Sequence, residues 1–414
     1  MLIDVYLSDW LNLLLRWFHV IAGIAWIGSS FYFIWLDARL NVPPRNPESP
    51  DVAGDLWAVH GGGFYHSQKY KVSPAQLPEP LHWFKWEAYT TWLTGFVLLI
   101  VVYYFQAGAM LVDPKVADIS PGTAVLVSVG LIVVGWFLYD ALCRIGPRGW
   151  AFAIIGLVLL LALCFGVSQV FSGRGAFLQV GAMLGTIMAA NVFLIIIPSQ
   201  KELVGAKLRG EQPDARFGVR AKQRSVHNNY LTLPVVFTMI SPHFPFTYAG
   251  ATNWLVLFNI FVAGMLIRHY FNLRNQGRNA VALPITAAVI LVALGVSIAP
   301  RPPASATAAA AGAAGSVTSA GAPDANPAAS FSEVRNIIAA RCTACHSVTP
   351  THPTAPVPAA GVTLDTEREI GVWAPRIFER VVVSKTMPFA NMTEMTDQER
   401  NVIERWYAAG ASIH

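Results

Sequence analysis

The chain has 414 residues, of which 54% are hydrophobic and only 13% are charged. An ordinary globular protein carries about 25% charged residues, so this composition argues against a purely soluble enzyme. The net charge of +5 is spread along the chain rather than gathered in a basic stripe or tail. A nucleic-acid-binding protein is therefore disfavoured, because such proteins concentrate Lys and Arg against phosphates. Four cysteines are too few for a disulfide scaffold at this length.

Composition divides the chain into three parts. Residues 1–299 hold almost all the long apolar runs and predict a membrane domain. Residues 300–330 consist mainly of Ala, Pro, Gly and Ser and predict a flexible linker, because such a composition cannot bury a core. Residues 331–414 carry 8 basic and 9 acidic residues and predict a small soluble domain.

Eight runs in the first part are candidate transmembrane helices, since about 20 apolar residues cross the ~30 Å of hydrocarbon in a bilayer. In chain order they are 11–36, 88–106, 122–140, 150–171, 176–198, 221–240, 251–268 and 281–299. The first is too long for a cleaved signal peptide, so we interpret it as a retained helix. The sixth is the weakest, because Pro234 interrupts it, and we expect a broken or re-entrant helix there.

The distribution of positive charge predicts the orientation of these spans. The segments after the second, fourth and sixth spans hold only Lys115 and Arg174, whereas the segments after the odd-numbered spans are rich in Lys and Arg. Because positively charged loops stay in the cytoplasm, both termini are expected on the opposite side of the membrane.

The soluble domain contains the segment Cys342-Thr343-Ala344-Cys345-His346. This C-x-x-C-H pattern is the signature of covalent c-type haem attachment, in which the two thiols reach the haem vinyl groups and the His is an axial ligand. A zinc site or a redox-active Cys pair is the alternative. The adjacent His favours one covalent haem c, as do the predicted helices on either side, which cover 336–341 and, as an amphipathic helix capped by a Thr, 396–409.

The sixth iron ligand is expected to be a Met, which raises the reduction potential in cytochromes c. Met387, Met392 and Met395 are the candidates, and Met387 precedes Pro388 in a loop. The run from Cys342 to Ala411 resembles a small, all-α, class I-like mono-haem cytochrome c. By that resemblance Met387 is the ligand, and Met392 and Met395 pack beneath the haem. Haem c is attached outside the cytoplasmic membrane in bacteria, in agreement with the predicted orientation.

Two polar clusters in the membrane domain are candidate functional sites. Glycines beside imidazoles allow close backbone approach or positive φ, and polar residues that enter a span are costly and often functional. A simple glycine-containing loop and a capped helix start are the alternatives. The clusters are His60, His66 and Lys69 in the loop HGGGFYHSQKY, and His227, Asn228, Asn229 and Tyr230 at the start of the sixth span.

Over its full length the chain resembles the bacterial membrane-bound urate hydroxylases, which join a polytopic helical domain to a C-terminal cytochrome c. The resemblance rests on the segment 17–31, on the HGGGFYHSQKY loop, and on the motifs WFKWEAYTTWLTG and HNNYLTLPV. It implies an all-α protein of the bacterial inner membrane, with an eight-helix bundle and a periplasmic cytochrome c domain. It also implies that the chain oxidises urate to 5-hydroxyisourate and passes the electrons to haem c and then to a respiratory cytochrome or oxidase.

The polar clusters are compatible with this chemistry, because urate is a planar, electron-rich monoanion. Its oxygens need a cation or amide donors, and its oxidation needs a base. The hypotheses are that Lys69, Asn228, Asn229 and Tyr230 bind the substrate and that His60, His66 or His227 acts as the base.

A cytoplasmic substrate site and an external haem c would be separated by the ~30 Å hydrocarbon layer. A relay cofactor is then expected, and His19 in the first span is a candidate ligand for a haem b. Its alternative role is a hydrogen bond between helices.

Two other classes of function stay open. The chain could be a haem b/c subunit that passes quinol electrons to a terminal oxidase, without a substrate site of its own. It could also be a haem or metal transporter, although motifs rich in Met or Cys are absent from the sequence.

Overall fold

The computed structural model of the chain describes residues 2–41, 51–147, 149–299 and 329–413, apart from 353, 354, 356, 357, 360 and 361. Two compact units are present. The first comprises residues 1–244 and 252–295, and the second comprises residues 245–251 and 296–414. Almost all of the predicted linker lies outside the described residues, and its flexibility stays a prediction.

Helices make up most of the first unit. They are α1 (Leu2–Arg39), α2 (Trp86–Leu98), α3 (Ala107–Met110), α4 (Pro121–Ile145), α5 (Trp150–Ser168), α6 (Gly173–Ala190), α7 (Ile197–Leu208), α8 (Ala215–Ile240), α9 (Asn253–Asn275) and α10 (Ala282–Ser297). A π-helical segment, Leu99–Tyr104, extends α2, and a second one, Asn191–Ile196, joins α6 to α7. Among the described residues, six helices are long and apolar enough to cross a membrane: Trp10–Arg39, Trp86–Tyr104, Pro121–Ile145, Trp150–Ser168, Gly173–Leu208 and Asn253–Asn275. The chain is therefore a multi-pass membrane protein.

The sixth and eighth predicted spans correspond to α8 and α10, which are not among these six helices, so a count of eight stays a prediction. The expectation of a broken or re-entrant sixth segment is wrong, because α8 is one continuous helix with Pro234 inside it. Helix α8 packs against α1, α6, α7 and α9. Five of its polar residues are buried, namely Arg224, Asn228, Asn229, Thr232 and Thr238. They are tolerated at this depth because protein rather than lipid surrounds them.

The expectation of an all-α fold needs one correction, because strands β1 (Val52–His60) and β2 (Gly63–Tyr70) form an antiparallel hairpin. Gly61 and Gly62 form its two-residue turn with φ of 58° and 81°. Positive φ at both positions is the requirement of a type I′ turn, whose twist matches that of the strands. Two glycines of the HGGGFYHSQKY segment therefore form the turn of a hairpin, and the segment is not a glycine-rich loop.

The second unit contains α11 (Phe331–Arg341), α12 (Glu367–Ile377) and α13 (Asp397–Ala408). Each helix begins with a capping box, in which a hydroxyl side chain accepts from the N3 amide and the N3 Glu accepts in return. The helices bury a core of apolar side chains that includes Val334, Ile338, Ile370, Ile403 and Trp406. The predicted Thr cap of the closing helix is confirmed at Thr396.

Candidate functional site

The candidate site in the membrane unit is organised by α8, which carries buried polar residues on two sides. Arg224 and Asn228 are one turn apart and share one face, whereas Asn229 follows Asn228 by about 100° around the helix axis. All three side chains are at most 5% exposed. Buried polar groups need hydrogen-bond partners, and helices α4, α6 and α9 supply them.

His227 lies on the side of α8 that faces α4 and α5. Its Nδ1 is 2.8 Å from the Tyr139 hydroxyl and 3.7 Å from Cys143 Sγ. Phe152 stacks on the imidazole with ring centroids 4.7 Å apart. The described residues give Nε2 no hydrogen-bond partner, so one nitrogen of this half-buried imidazole is left for proton exchange.

Arg224 is the charged member of the same network. Its Nη2 donates to Asp140 Oδ1 at 2.6 Å, and its Nη1 donates to Asn191 Oδ1 at 3.3 Å. Asn191 Nδ2 in turn donates to Asn228 Oδ1 at 2.8 Å and to the Tyr139 hydroxyl at 3.1 Å. The charge of the buried guanidinium is balanced by Asp140, as a buried cation requires.

A second polar group lies between α8 and α9. Arg268 Nε donates to Asn229 Oδ1 at 2.8 Å, and its Nη2 donates to Asn272 Oδ1 at 3.1 Å. Asn272 Nδ2 also donates to Asn229 Oδ1 at 3.1 Å. The guanidinium lies 3.9 Å from the centroid of the Phe31 ring, in a cation–π contact.

Tyr230 and His269 form a further pair on the α9 side, with the hydroxyl 2.6 Å from Nδ1. Helix α8 is thus flanked by two pairs of a phenol and an imidazole, Tyr139–His227 and Tyr230–His269. Either partner of such a pair can donate the hydrogen bond, so each pair can hold and pass a proton.

The other predicted residues of the membrane unit lie on the hairpin. His66 Nε2 is 2.8 Å from Asp55 Oδ2, and its ring stacks on Trp57 at 4.3 Å. Lys69 Nζ donates to Asp37 Oδ1 at 2.5 Å, so a carboxylate already balances its charge. His60 pairs with Gly63 at the turn. No hydrogen bond between described residues joins these hairpin side chains to the polar groups along α8.

His19 on α1 packs against α2. Its Nδ1 is 3.0 Å from the Thr91 carbonyl oxygen and 3.0 Å from Thr94 Oγ1. A carbonyl only accepts, so Nδ1 carries the proton and the lone pair of the neutral ring lies on Nε2. In an iron-ligating His, the ring nitrogen that does not bind the iron usually donates a fixed hydrogen bond of this kind. The residues therefore fit the axial ligation of a haem b.

The C-x-x-C-H segment of the second unit begins where α11 ends, with Cys342 at the C-cap. Cys342 and Cys345 are free thiols. Nδ1 of His346 is 3.4 Å from the Val362 carbonyl oxygen, which directs the lone pair to Nε2. Met387 packs against the core of the unit. These features fit a haem c held by two thioether bonds and by a His and a Met on the iron.

Burial raises the pKa of the Cys342 thiol to about 12, and burial also raises the pKa of Cys345. Both surroundings favour the neutral thiol over the thiolate. In the part of the chain that the structure describes, no three or more His, Cys, Asp or Glu residues are grouped to hold a metal ion.

The functional class follows from this architecture. Long apolar helices surround two groups of buried polar residues on different sides of α8, which defines a polytopic membrane protein with a buried polar site. The family model described as Urate oxidase N-terminal matches residues 5–299, and the chain belongs to that family. Membership implies an oxidoreductase. No curated protein and no solved structure matches the chain.

Proposed function

We propose that the chain oxidises urate to 5-hydroxyisourate at the polar groups beside α8 and passes the electrons to a haem c on the second unit. The observation that carries this proposal is the set of buried amide and guanidinium groups on α8 and its neighbours, in a chain of the urate oxidase family. These donors suit a planar purine with several carbonyl oxygens. A downstream respiratory cytochrome or oxidase would then accept the electrons.

The chain's own residues have two tasks in this reaction. Urate and one water give 5-hydroxyisourate, two protons and two electrons, so a group beside the substrate must accept protons. We assign this role to the Tyr139–His227 pair or the Tyr230–His269 pair, since a phenol and an imidazole in hydrogen-bond contact can hold a proton. Asn229 would orient the purine, whereas the side-chain amide of Asn228 is already paired with Asn191 and with the Met188 carbonyl oxygen. Haem c, held by Cys342, Cys345, His346 and Met387, would supply a one-electron acceptor.

We also propose that His19 holds a haem b, which would supply a one-electron site inside the bilayer. The fixed Nδ1 hydrogen bond and the lone pair on Nε2 support this role. The orientation predicted from the loop charges, with the second unit in the periplasm, belongs to the same proposal.

Anaerobic stopped-flow spectroscopy of the oxidised full-length protein tests the proposed activity. Urate should reduce haem c, and the variant Cys342→Ala with Cys345→Ala, which cannot attach the haem, should show no such signal. Reduction by a quinol but not by urate would contradict the proposal and favour an electron-transfer subunit.

A further inference from the structure

The group formed by Arg268, Asn229 and Asn272, here called the α8–α9 group, holds a positive charge that no carboxylate of the described residues balances. The Arg268 side chain is 6% exposed. Its hydrogen-bond acceptors are the amide oxygens of Asn229 and Asn272, and no carboxylate of the described residues forms an ion pair with it. A buried cation without a counter-ion is costly, because it loses its hydration and gains no opposite charge.

Arg224, on the other side of α8, shows the contrast. It is buried to a similar degree, and Asp140 lies 2.6 Å from its guanidinium, although its Nε has no hydrogen-bond partner among the described residues. Arg224, which links α8 to α4, therefore has a carboxylate partner. Of these two buried arginines, only Arg268 has no carboxylate partner among the described residues.

Within the α8–α9 group some hydrogen-bond donors stay unpaired among the described residues, whereas the side-chain oxygens already accept hydrogen bonds. Asn229 Oδ1 accepts from both Arg268 Nε and Asn272 Nδ2, which fixes the orientation of the amide. Asn229 Nδ2 is then buried with no partner among the described residues. Arg268 Nη1 also has no hydrogen bond to the described part of the chain. A ligand that completes this group must bring acceptor atoms and a negative charge.

We propose that the α8–α9 group binds the urate monoanion through its carbonyl oxygens, an inference that rests on the proposed function. The purine anion supplies the missing charge and the missing acceptors together. Tyr230 and His269 lie beside the group, whereas His227 lies about 160° from Asn229 around the axis of α8. The proton acceptor next to the substrate is then the Tyr230–His269 pair, and the network of His227 and Arg224 holds α4, α6 and α8 together.

The sharpest test places a carboxylate inside the group. Asn272→Asp gives Arg268 an internal counter-ion, and an anionic ligand must then compete with it. The KM for urate should rise by roughly 10- to 100-fold, the cost of one charge-assisted contact, with the rate at saturating urate changed much less. Asn279→Asp makes the same charge change in the exposed loop after α9 and should leave KM unchanged.

Two arginine variants separate charge from geometry. Arg268→Lys keeps the charge but loses the planar fork, and Arg268→Gln loses both. Urate affinity, measured by anaerobic equilibrium dialysis with the full-length protein, should fall in the order wild type, Lys, Gln. Equal affinity of all three would overturn the proposal.

The outcomes distinguish this inference from the proposed function. If the wild-type protein oxidises urate and Asn272→Asp leaves KM unchanged, the activity stands and the α8–α9 group is not the binding site. If the wild-type protein binds urate but does not oxidise it, the group stands and the activity fails. Inorganic phosphate is the competing anion: if phosphate but not urate raises the thermal stability of the wild type, and Asn272→Asp removes the effect, the assignment to urate is overturned.

Discussion

Met387 and Met392 lie close together in the chain, but their surroundings differ. Met387 packs against the core of the second unit, whereas Met392 is 41% exposed. The buried Arg400 donates to the carbonyl oxygens of Val381 and Met387, and so it holds the backbone on which Met387 lies. A thioether that ligates iron must be held in one position, and only Met387 of this pair has that support.

Met387→Ala should therefore leave the covalent haem c in place but lower its reduction potential and open the iron to external ligands. Potentiometric titration and the Met-to-iron charge-transfer band measure these changes. Met392→Ala is the matched control and should keep both properties. Loss of the band in Met392→Ala, with its retention in Met387→Ala, would show that the ligand is wrongly assigned.

Gly95 on α2 sets the space available to His19. A Cβ at this position would lie 2.8 Å from His19 Cε1, so Gly95→Ala must displace the imidazole. A b-type signal in the pyridine haemochrome spectrum should be lost in this variant while haem c is retained. Gly156→Ala, where nothing lies within 4 Å, should keep the b-type signal. A wild-type protein with haem c alone and full urate turnover would contradict the role of His19.

At the scale of the elements, α6 and α8 approach each other at Gly181. A Cβ added there would overlap both Oγ1 and Cβ of Thr238, a side chain that is 1% exposed and donates to the Val235 carbonyl oxygen. The close contact holds α8 against α6. The glycine is needed here because no larger side chain fits between the two backbones.

Gly181→Ala should destabilise the membrane unit by about 1–3 kcal/mol, the usual cost of overpacking. Thermal unfolding in detergent measures this change. Gly166→Ala on α5, where no atom lies within 4 Å, provides the control and should unfold near the wild-type temperature. Equal stability of the two variants would mean that α8 is free to shift away from α6.

The sequence alone identified those features that adjacent residues define. The C-x-x-C-H segment, the capped closing helix and the long apolar helices are local patterns, and neighbouring positions suffice to find them. The roles of Arg268, Tyr139 and Asn191 are not local, because their partners come from helices far away in the chain. An Arg near the end of a span looks like an ordinary loop charge until the packing of α8 against α9 is known.

The hairpin was missed for a different reason. Three adjacent glycines suggested a flexible loop, although a Gly-Gly pair between two alternating segments is a signal for a tight hairpin turn. In β1, Val52, Gly54 and Leu56 are buried and alternate with less buried residues. This period of two belongs to the folded hairpin: Trp57 and Val59 on the other face are also apolar, so hydropathy along β1 does not alternate, and the nearby histidines and lysine favour a binding loop.

For the whole molecule, the charge pattern predicts on which side of the membrane each segment lies. In a chain with Cys143 and Cys164 replaced by Ala, a Cys placed at Ser316 should react with an impermeant maleimide added to intact cells. A Cys at Gly210, in the turn before α8, should be protected until the cells are opened. Reaction of both or of neither would contradict the predicted orientation.

The π-helical segment between α6 and α7 makes the length of this region matter as much as its composition. A π turn contains one residue more than an α turn, so Asn191–Ile196 behaves as an insertion absorbed within a helix. Removing one residue from it would restore a regular α-helix and leave α7 in nearly its present phase, because the π turn already absorbs the extra residue. Asn191, at the start of the segment, contacts Tyr139, Arg224 and Asn228. The loss of the wider turn would therefore be felt locally, at Asn191 and its three partners, rather than along α7.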